Sequence, residues 1–292
     1  MKENISLKQL DRELEFFQKI YDSVRLVDPV QKKVLDYRGS SIHCTNEICY
    51  NYWGNGKICE NCISIRAHME NKSFMKLEKK DKKILMVTAI PIEHGNRPLV
   101  LELLKDATDS MFVGSGDYNT NETLESLVRK MNDMVIKDSV TNLYNRRFAD
   151  ERLPVDIVNA ISKKQPLSLC YADIDNFKNL NDSYGHKVGD TAIKEVSNAI
   201  TKCIRAKLDW AARYGGDEFL LCFNNTDEKQ AAAIMERIKN AIEKIPSSLE
   251  IADTQISISY GIKTLNDTFY TADELIHLAD QEMYKQKKNK SK

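Results

Sequence analysis

The stretch ARYGGDEFLLCF, residues 212–223, decides the fold. Two apolar segments flank two glycines and two acids, which is the pattern of a β-hairpin with an acidic tip. Glycine admits positive φ in such a turn and lets a ligand approach the backbone. Upstream, PLSLCYADI (166–174) reads as a buried strand and runs into Asp173-Ile174-Asp175. Open α/β sheets collect ligands at the carboxyl ends of their strands. Asp173 and Asp175 face one way in a strand and Ile174 the other. Two carboxylate sets from separate strands suit a hard divalent ion such as Mg²⁺, which takes oxygen ligands and bridges carboxylates to substrate phosphates.

Outward from the hairpin, helices alternate with strands from residue 139 onward. A helix is expected over about 146–164, before the buried strand. GDTAIKEVSNAITKCI follows as a helix, and after the hairpin DEKQAAAIMERIKNAIEKI is another. TQISISYGI alternates like a half-buried strand. TADELIHLADQEMYKQKK is a closing helix, with Thr271 and Glu274 spaced as a capping box. The fold class is therefore α/β (α+β). Between strand and helix, FKNLNDSYGHKVGD (177–190) forms a polar turn and a glycine-containing loop. Asn181 and Asp190 flank that loop, an amide and a carboxylate able to pair with the edge of a guanine base.

Three motifs, ARYGGDEF, DIDNFKNLNDSYGHKVGD and DSVTNLYNRRF, together resemble the GGDEF diguanylate cyclase domain in order and spacing, over about residues 138–290. The resemblance implies a ferredoxin-like palm with a βαββαβ core, related to nucleotidyl cyclases and polymerases. It implies condensation of two GTP into cyclic di-GMP with release of two pyrophosphates. It assigns Mg²⁺ (or Mn²⁺) to Asp173, Asp217 and the main-chain carbonyl of Ile174. Glu218 would help deprotonate the attacking 3′-hydroxyl or hold a second ion, so the catalytic set is Asp217, Glu218 and Asp173. Asn181 and Asp190 match guanine-reading positions, and Lys178 and Lys287 match phosphate-contacting lysines. Gly215 and Gly216 would let the backbone approach the nucleotide. One domain has room for one GTP, so the implied working form is a homodimer.

Three departures accompany the resemblance. The family often carries an arginine and an aspartate three apart in a product-binding inhibitory site. Here Asp209 holds the aspartate position, but the arginine position is Ala206 and Arg205 lies one residue out of register. Weak or absent product inhibition is expected. The usual TGL reads Thr141-Asn142-Leu143, a change expected to be tolerable. The basic tail lacks the common terminal glycine-arginine.

The rest of the chain is a second domain. Its 292 residues suit about two domains on a prior of roughly 150 residues each. Hydrophobic residues make up 42% and charged residues 29%, as in ordinary soluble globular proteins. Lys+Arg and Asp+Glu balance at 43 each, and no aromatic-basic stripe occurs, which argues against nucleic acid as partner. No apolar run approaches a membrane span and the start lacks a secretory core, so a cytoplasmic protein without a membrane partner is expected. The division expected is 1–113 as a sensory domain, 114–137 as linker and signalling helix, and 138–292 as the GGDEF domain. Leu124, Leu127, Met131 and Met134 give the 121–137 helix an apolar seam, suited to its twin in a dimer or to its own domain.

Residues 7–24 carry an apolar stripe at helical spacing, and KKVLDY, KILMVTAIPI and PLVLELL are strand candidates. Residues 15–108 loosely resemble a PAS-like sensory domain. Four of the seven cysteines, Cys44, Cys49, Cys59 and Cys62, crowd into one polar stretch with His43 beside them, whereas Cys170, Cys203 and Cys222 read as core. The four could surround an iron–sulfur cluster or Zn²⁺, act as redox thiols without metal, or be reduced structural cysteines. The leading function is a diguanylate cyclase under redox or metal-centre control. The alternative is a catalytically silent GGDEF module that binds GTP or cyclic di-GMP and signals by contact.

Overall fold

A computed structural model describes residues 5–38, 41–54, 56–93, 97–108, 132–245, 256–266 and 270–290. Most of the expected 121–137 helix lies outside the described residues, although 132–136 are helical. The chain divides into two compact units, Met1–Val135 and Ile136–Lys292.

In the first unit, β1 (Ile5–Ser6) and α1 (Leu7–Ile20) precede β2 (Ser23–Asp28), β3 (Lys33–Arg38) and β4 (Ser41–Ile48). A 3₁₀ turn (Cys49–Trp53) and α2 (Ile63–Glu70) then lead to β5 (Phe74–Lys80), β6 (Lys83–Glu93) and β7 (Leu99–Asp106). The strands form one sheet in the order β1-β6-β7-β2-β3-β4, with β5 also paired to β6. Only the two-residue β1 runs parallel to its neighbour among the described pairs. Both faces of the sheet are covered, so β7 has no water-facing side over LVLELL, where the one charged residue, Glu102, is buried against Arg25. Leu10, Leu14 and Phe17 of α1 pack with Leu26, Leu101 and Leu103. Ile63 and Ala67 of α2 pack with Val27, Val87, Val100 and Leu104 in a second cluster. Val24, whose spacing continues the helical stripe, belongs instead to β2, because Tyr21 and Asp22 turn the chain into the sheet.

The second unit runs β8 (Tyr144–Asn145), α3 (Arg146–Lys163), β9 (Leu167–Ile174), α4 (Phe177–Tyr184), α5 (His186–Cys203), β10 (Trp210–Arg213) and β11 (Glu218–Asn224). It closes with α6 (Glu228–Glu243), β12 (Ile258–Leu265) and α7 (Ala272–Lys290). The sheet order is β12-β9-β11-β10-β8. All eight residues of central β9 are buried, which is why its polar exceptions matter. Phe219, Leu221 and Phe223 of β11 pack with Ile193, Val196 and Ile200 of α5 and Met235 and Ile238 of α6. The closing helix lies so near β12 that a Cβ on Gly261 would sit 2.1 Å from Met283 N and 2.2 Å from Ala279 O. Thr271 and Glu274 form the capping box at its start. Cys170 and Cys222 are buried and Cys203 half-buried, all as free thiols.

Candidate active site

Backbone pairing brings the two acidic sets together. Asp173 on β9 lies opposite Glu218 of β11 on one side and Ser259 of β12 on the other. The Ile174 N–H donates to the Asp217 carbonyl at 3.2 Å. Burial pushes the Asp173 carboxyl above its ordinary range, and the charges of Asp217 and Glu218 push the same way, against a hydrogen bond from Lys287. Lys287 of α7 places its Nζ 2.5 Å from Asp173 Oδ1. Asp173 near the end of β9, Asp217 in the turn before β11 and Glu218 at the start of β11 thus lie within electrostatic reach of one another, and a cation already sits against Asp173. Carboxylate oxygens are the donor type a hard divalent ion takes, although with Lys287 seated on Asp173 the three are not arranged as a ready metal set. Ile174 is buried beside this edge, at the position the resemblance assigns to a main-chain ligand.

Asn181 on α4 faces the first turn of α5. Its buried Oδ1 has no hydrogen-bond partner in the structure. A Cβ on Gly189 would meet that oxygen at 2.0 Å and the Phe177 ring at 3.2 Å, so glycine keeps the notch open. Asp190 follows, exposed to solvent. An orphaned acceptor beside a carboxylate suits a ligand edge rich in N–H donors, such as N1–H and N2–H of guanine. Lys178 stands exposed in the first turn of α4.

The turn glycines work differently from the sequence expectation. Neither Gly215 nor Gly216 is among the described glycines with positive φ, which are Gly54, Gly56 and Gly185. Gly215 is small because Glu218 folds over it: a Cβ there would lie 2.1 Å from Glu218 Oε2. Around Gly216 there is open space.

Several positioning groups escaped the sequence reading. The Tyr171 hydroxyl hydrogen-bonds Glu218, and the two share one face of the sheet edge. Tyr171 and Asp173 are two apart on β9, a period-2 signal that the apolar run concealed. Arg213 donates from Nε and Nη2 to the Gly216 carbonyl, at 3.0 and 2.8 Å, and from Nη1 to Asp138. Asp138 in turn accepts from the Val140 and Thr141 N–H groups and the Thr141 hydroxyl. The turn that opens this unit is thereby tied to the acidic tip. Asp175 accepts from Ser257, Ser259 and Lys290.

Comparison with known proteins agrees with this geometry. The family model "Diguanylate cyclase, GGDEF domain" matches residues 135–292. The chain belongs to the GGDEF diguanylate cyclase family. It is 32% identical over 211 residues to diguanylate cyclase A of Treponema denticola, covering 68% of this chain and 56% of that protein. It is 35% identical over 164 residues to the probable diguanylate cyclase DgcT of Escherichia coli, covering 56% of this chain and 36% of that protein. The chain therefore spans about half or less of these relatives' lengths. Among solved structures, the coiled coil and GGDEF domain of DgcB from Caulobacter crescentus in complex with c-di-GMP aligns with a TM-score of 0.53 at 25% identity. That alignment covers 57% of this chain and 87% of DgcB. Diguanylate cyclase SiaD of Pseudomonas aeruginosa, solved with its activator SiaC, gives 0.52 at 27% identity, over 56% of this chain and 63% of SiaD.

Two departures from the GGDEF pattern acquire physical meaning. Asn142 replaces the usual glycine at φ 58°, a left-handed conformation that asparagine tolerates better than other side-chain-bearing residues. Arg205 forks onto Asp209 from Nε and Nη2, at 2.8 and 2.6 Å, and also reaches Asn224 O and Thr226 Oγ1. Asp209, with a fully buried side chain, is consumed inside the fold.

The four-cysteine metal centre is not assembled. Cys44 on β4 is exposed and accepts a hydrogen bond from Arg97 at 2.9 Å, while Cys49 is buried and Cys59 and Cys62 half-buried. Cys44 pairs opposite Leu35, on the sheet face of the α1 cluster, whereas Cys49 packs in the α2 cluster on the other face. Cys49, Cys59 and Cys62 group around Lys32, whose ammonium takes the place a metal would need. Among the described residues no set of three or more His, Cys, Asp or Glu is arranged to hold a metal ion. No helix among them is long and apolar enough to cross a membrane.

Proposed function

We propose that this protein condenses two GTP molecules into cyclic di-GMP and pyrophosphate, working as a homodimer. The observation that supports it best is the placement of Asp173, Asp217 and Glu218 within electrostatic reach of one another, together with the Asn181–Gly189 notch. Bound Mg²⁺ would neutralise the triphosphate and lower the pKa of the attacking hydroxyl. The protein's own groups do the rest. Asp173 and Asp217 hold positive charge at the α-phosphate, and Tyr171 orients Glu218 toward the 3′-hydroxyl proton. Asn181 and Asp190 fix the guanine and so align the sugar for in-line attack. Lys287 exchanges Asp173 for substrate phosphate when the nucleotide enters. A second copy must present the other GTP, because one notch serves one base.

The amino-terminal unit is a PAS-like sensory domain in this reading. Its antiparallel sheet, with an opening hairpin, a helical middle and three closing strands, supports that assignment. Its thiols give it a means of responding to oxidants without metal. Product inhibition is weak, since Arg205 already neutralises Asp209. Isothermal titration of nucleotide-free protein with cyclic di-GMP checks this, and tight binding removed by Asp209→Ala contradicts it.

The test of function is incubation of purified protein with GTP and Mg²⁺, followed by chromatography. Cyclic di-GMP in the wild type and none in Asp217→Asn is the expected result. GTP binding without turnover by the wild type leaves only the silent-module reading.

A further inference from the structure

We infer that Cys62 is a nucleophilic thiol served by the buried ammonium of Lys32, with Cys59 as the resolving thiol, forming a site for a small hydroperoxide. The inference deepens the regulatory part of the function proposed above, but the chemistry it names is confined to the amino-terminal unit.

Lys32 is the reason to look here. Lys32 ends the β2–β3 turn with φ 59°, a left-handed conformation uncommon for lysine, and is 3% exposed. Its Nζ lies 3.3 Å from Cys62 Sγ. The chain thus accepts both an uncommon backbone conformation and a buried charge to place an ammonium against sulfur. Burial alone strips protons from lysine, yet Cys62, which also accepts its hydrogen bond, leads the groups that hold Lys32 above its ordinary value. A buried cation needs an anion beside it. The nearest group able to supply one is the Cys62 sulfur.

The three sulfurs are not equivalent. Cys49 is buried, its N–H is tied to the Lys32 carbonyl at 2.9 Å, and burial pushes its thiol far up, which keeps it protonated. Cys62 is half-buried and is the N-cap residue of α2, so its sulfur stands at the positive pole of that helix. Cys59 lies three residues earlier in the C-x₂-C spacing of dithiol redox sites, on irregular backbone that can adjust. Burial raises its thiol to about 11, while Lys76 and Lys32 oppose the rise. Lys76 is itself packed close by, its Nζ donating to Asn61 O at 2.7 Å and to Glu78 at 2.6 Å. Nucleophile and resolving thiol therefore each have a lysine within electrostatic reach.

The Cys62 thiolate attacks one peroxide oxygen; the S–O bond forms, the O–O bond breaks, and the leaving oxygen takes a proton and departs as water or alcohol. Cys59 then attacks the Cys62 sulfenic sulfur; the S–S bond forms, the S–O bond breaks, and water leaves. Two thiols are oxidised by two electrons and the hydroperoxide is reduced by two.

Cys203 provides an internal control. It has the same partial exposure but ends α5, at the negative pole of its helix. The full chain, reduced and then alkylated with limiting iodoacetamide, is read by peptide mass spectrometry. Cys62 is expected to react at least tenfold faster than Cys203. Hydrogen peroxide is expected to produce a Cys59–Cys62 disulfide, and in Cys59→Ser a dimedone adduct on Cys62. Lys32→Met is expected to slow both reactions at least tenfold, and Lys32→Arg, which keeps the charge, to restore most of the rate. Equal labelling of Cys62 and Cys203 in the wild type overturns the inference even if the Lys32 variants fail to fold. A disulfide that joins Cys44 instead of Cys59 also overturns it. Neither outcome touches the cyclase reading, which is scored by GTP turnover.

Discussion

Each unit sets a lysine against an acid-forming group, and the two pairs are built in opposite ways. Lys287 meets Asp173 at 2.5 Å from the last turns of a helix, with its side chain one-third exposed. Lys32 meets Cys62 at 3.3 Å from the end of a tight turn and is buried. An ammonium on a long, solvated stem can leave and be replaced by a metal ion or exchange its partner for phosphate. An ammonium fixed in the interior cannot leave, so its partner's chemistry must change instead. The first arrangement suits an exchangeable substrate site, the second a permanent local field.

The comparison breaks most visibly at the acids. Asp217→Asn and Asp173→Asn are expected to lower cyclic di-GMP formation by ~10³-fold or more, since each removes charge that holds a cation worth several kcal/mol to the transition state. Residual activity within tenfold of wild type in a chromatographic assay would mean the carboxylates do not carry the reaction. Next in size is Gly261→Ala. The added methyl must push α7 away from β12, and α7 carries Lys287. A stability loss of about 2–3 kcal/mol by urea unfolding is expected, with activity falling in proportion to the displacement of Lys287.

Lys287→Met sharpens the contrast directly. An exchangeable lysine competes with metal, so nucleotide-free protein should bind Mn²⁺ roughly 3–10-fold more tightly once it is gone, while turnover falls about tenfold through the lost phosphate contact. Paramagnetic resonance titration reads the first effect, and weaker Mn²⁺ binding would show that Lys287 does not compete.

The smallest effect concerns Asp138. Burial works against its ionisation, but the Thr141 hydroxyl and N–H and the Arg213 guanidinium outweigh it and hold the carboxyl below its usual value of 3.8. A folded-state pKa depressed below the unfolded one contributes stability that is fully present above the unfolded value and is lost as pH falls through the folded one. Asp138→Asn should therefore lower the melting temperature by no more than about 2 °C at pH 7 and cease to matter well below pH 3.8. An Asn variant whose deficit persists undiminished at the lowest pH would remove the ion pair as its cause.

Much of the carboxyl-terminal unit was legible from its sequence for a local reason. A buried strand ending in acids, an acidic hairpin tip and a capping box are patterns of a few consecutive residues, and the pairing of β10 with β11 follows from the hairpin itself. Tyr171 was hidden because an apolar run masks the alternation that would have grouped it with Asp173. The left-handed turn expected at Gly215 is absent, and the glycine yields room to Glu218. In the amino-terminal unit, proximity in sequence misled: four cysteines within one stretch suggested one centre, but β4 carries Cys44 on the sheet face opposite Cys49.

What the sequence determined by itself was therefore the inventory of acids, thiols and strand segments, because propensity and periodicity act over neighbouring residues. Tertiary structure alone decided which cation meets which acid. Lys287 and Asp173 are 114 residues apart, and Lys32 and Cys62 are 30 apart across a turn and a helix start. No local pattern records such meetings; they follow from how the closing helix and the β2–β3 turn are seated by packing. The sites depend on those meetings, because a charge takes its chemical meaning from the group that faces it.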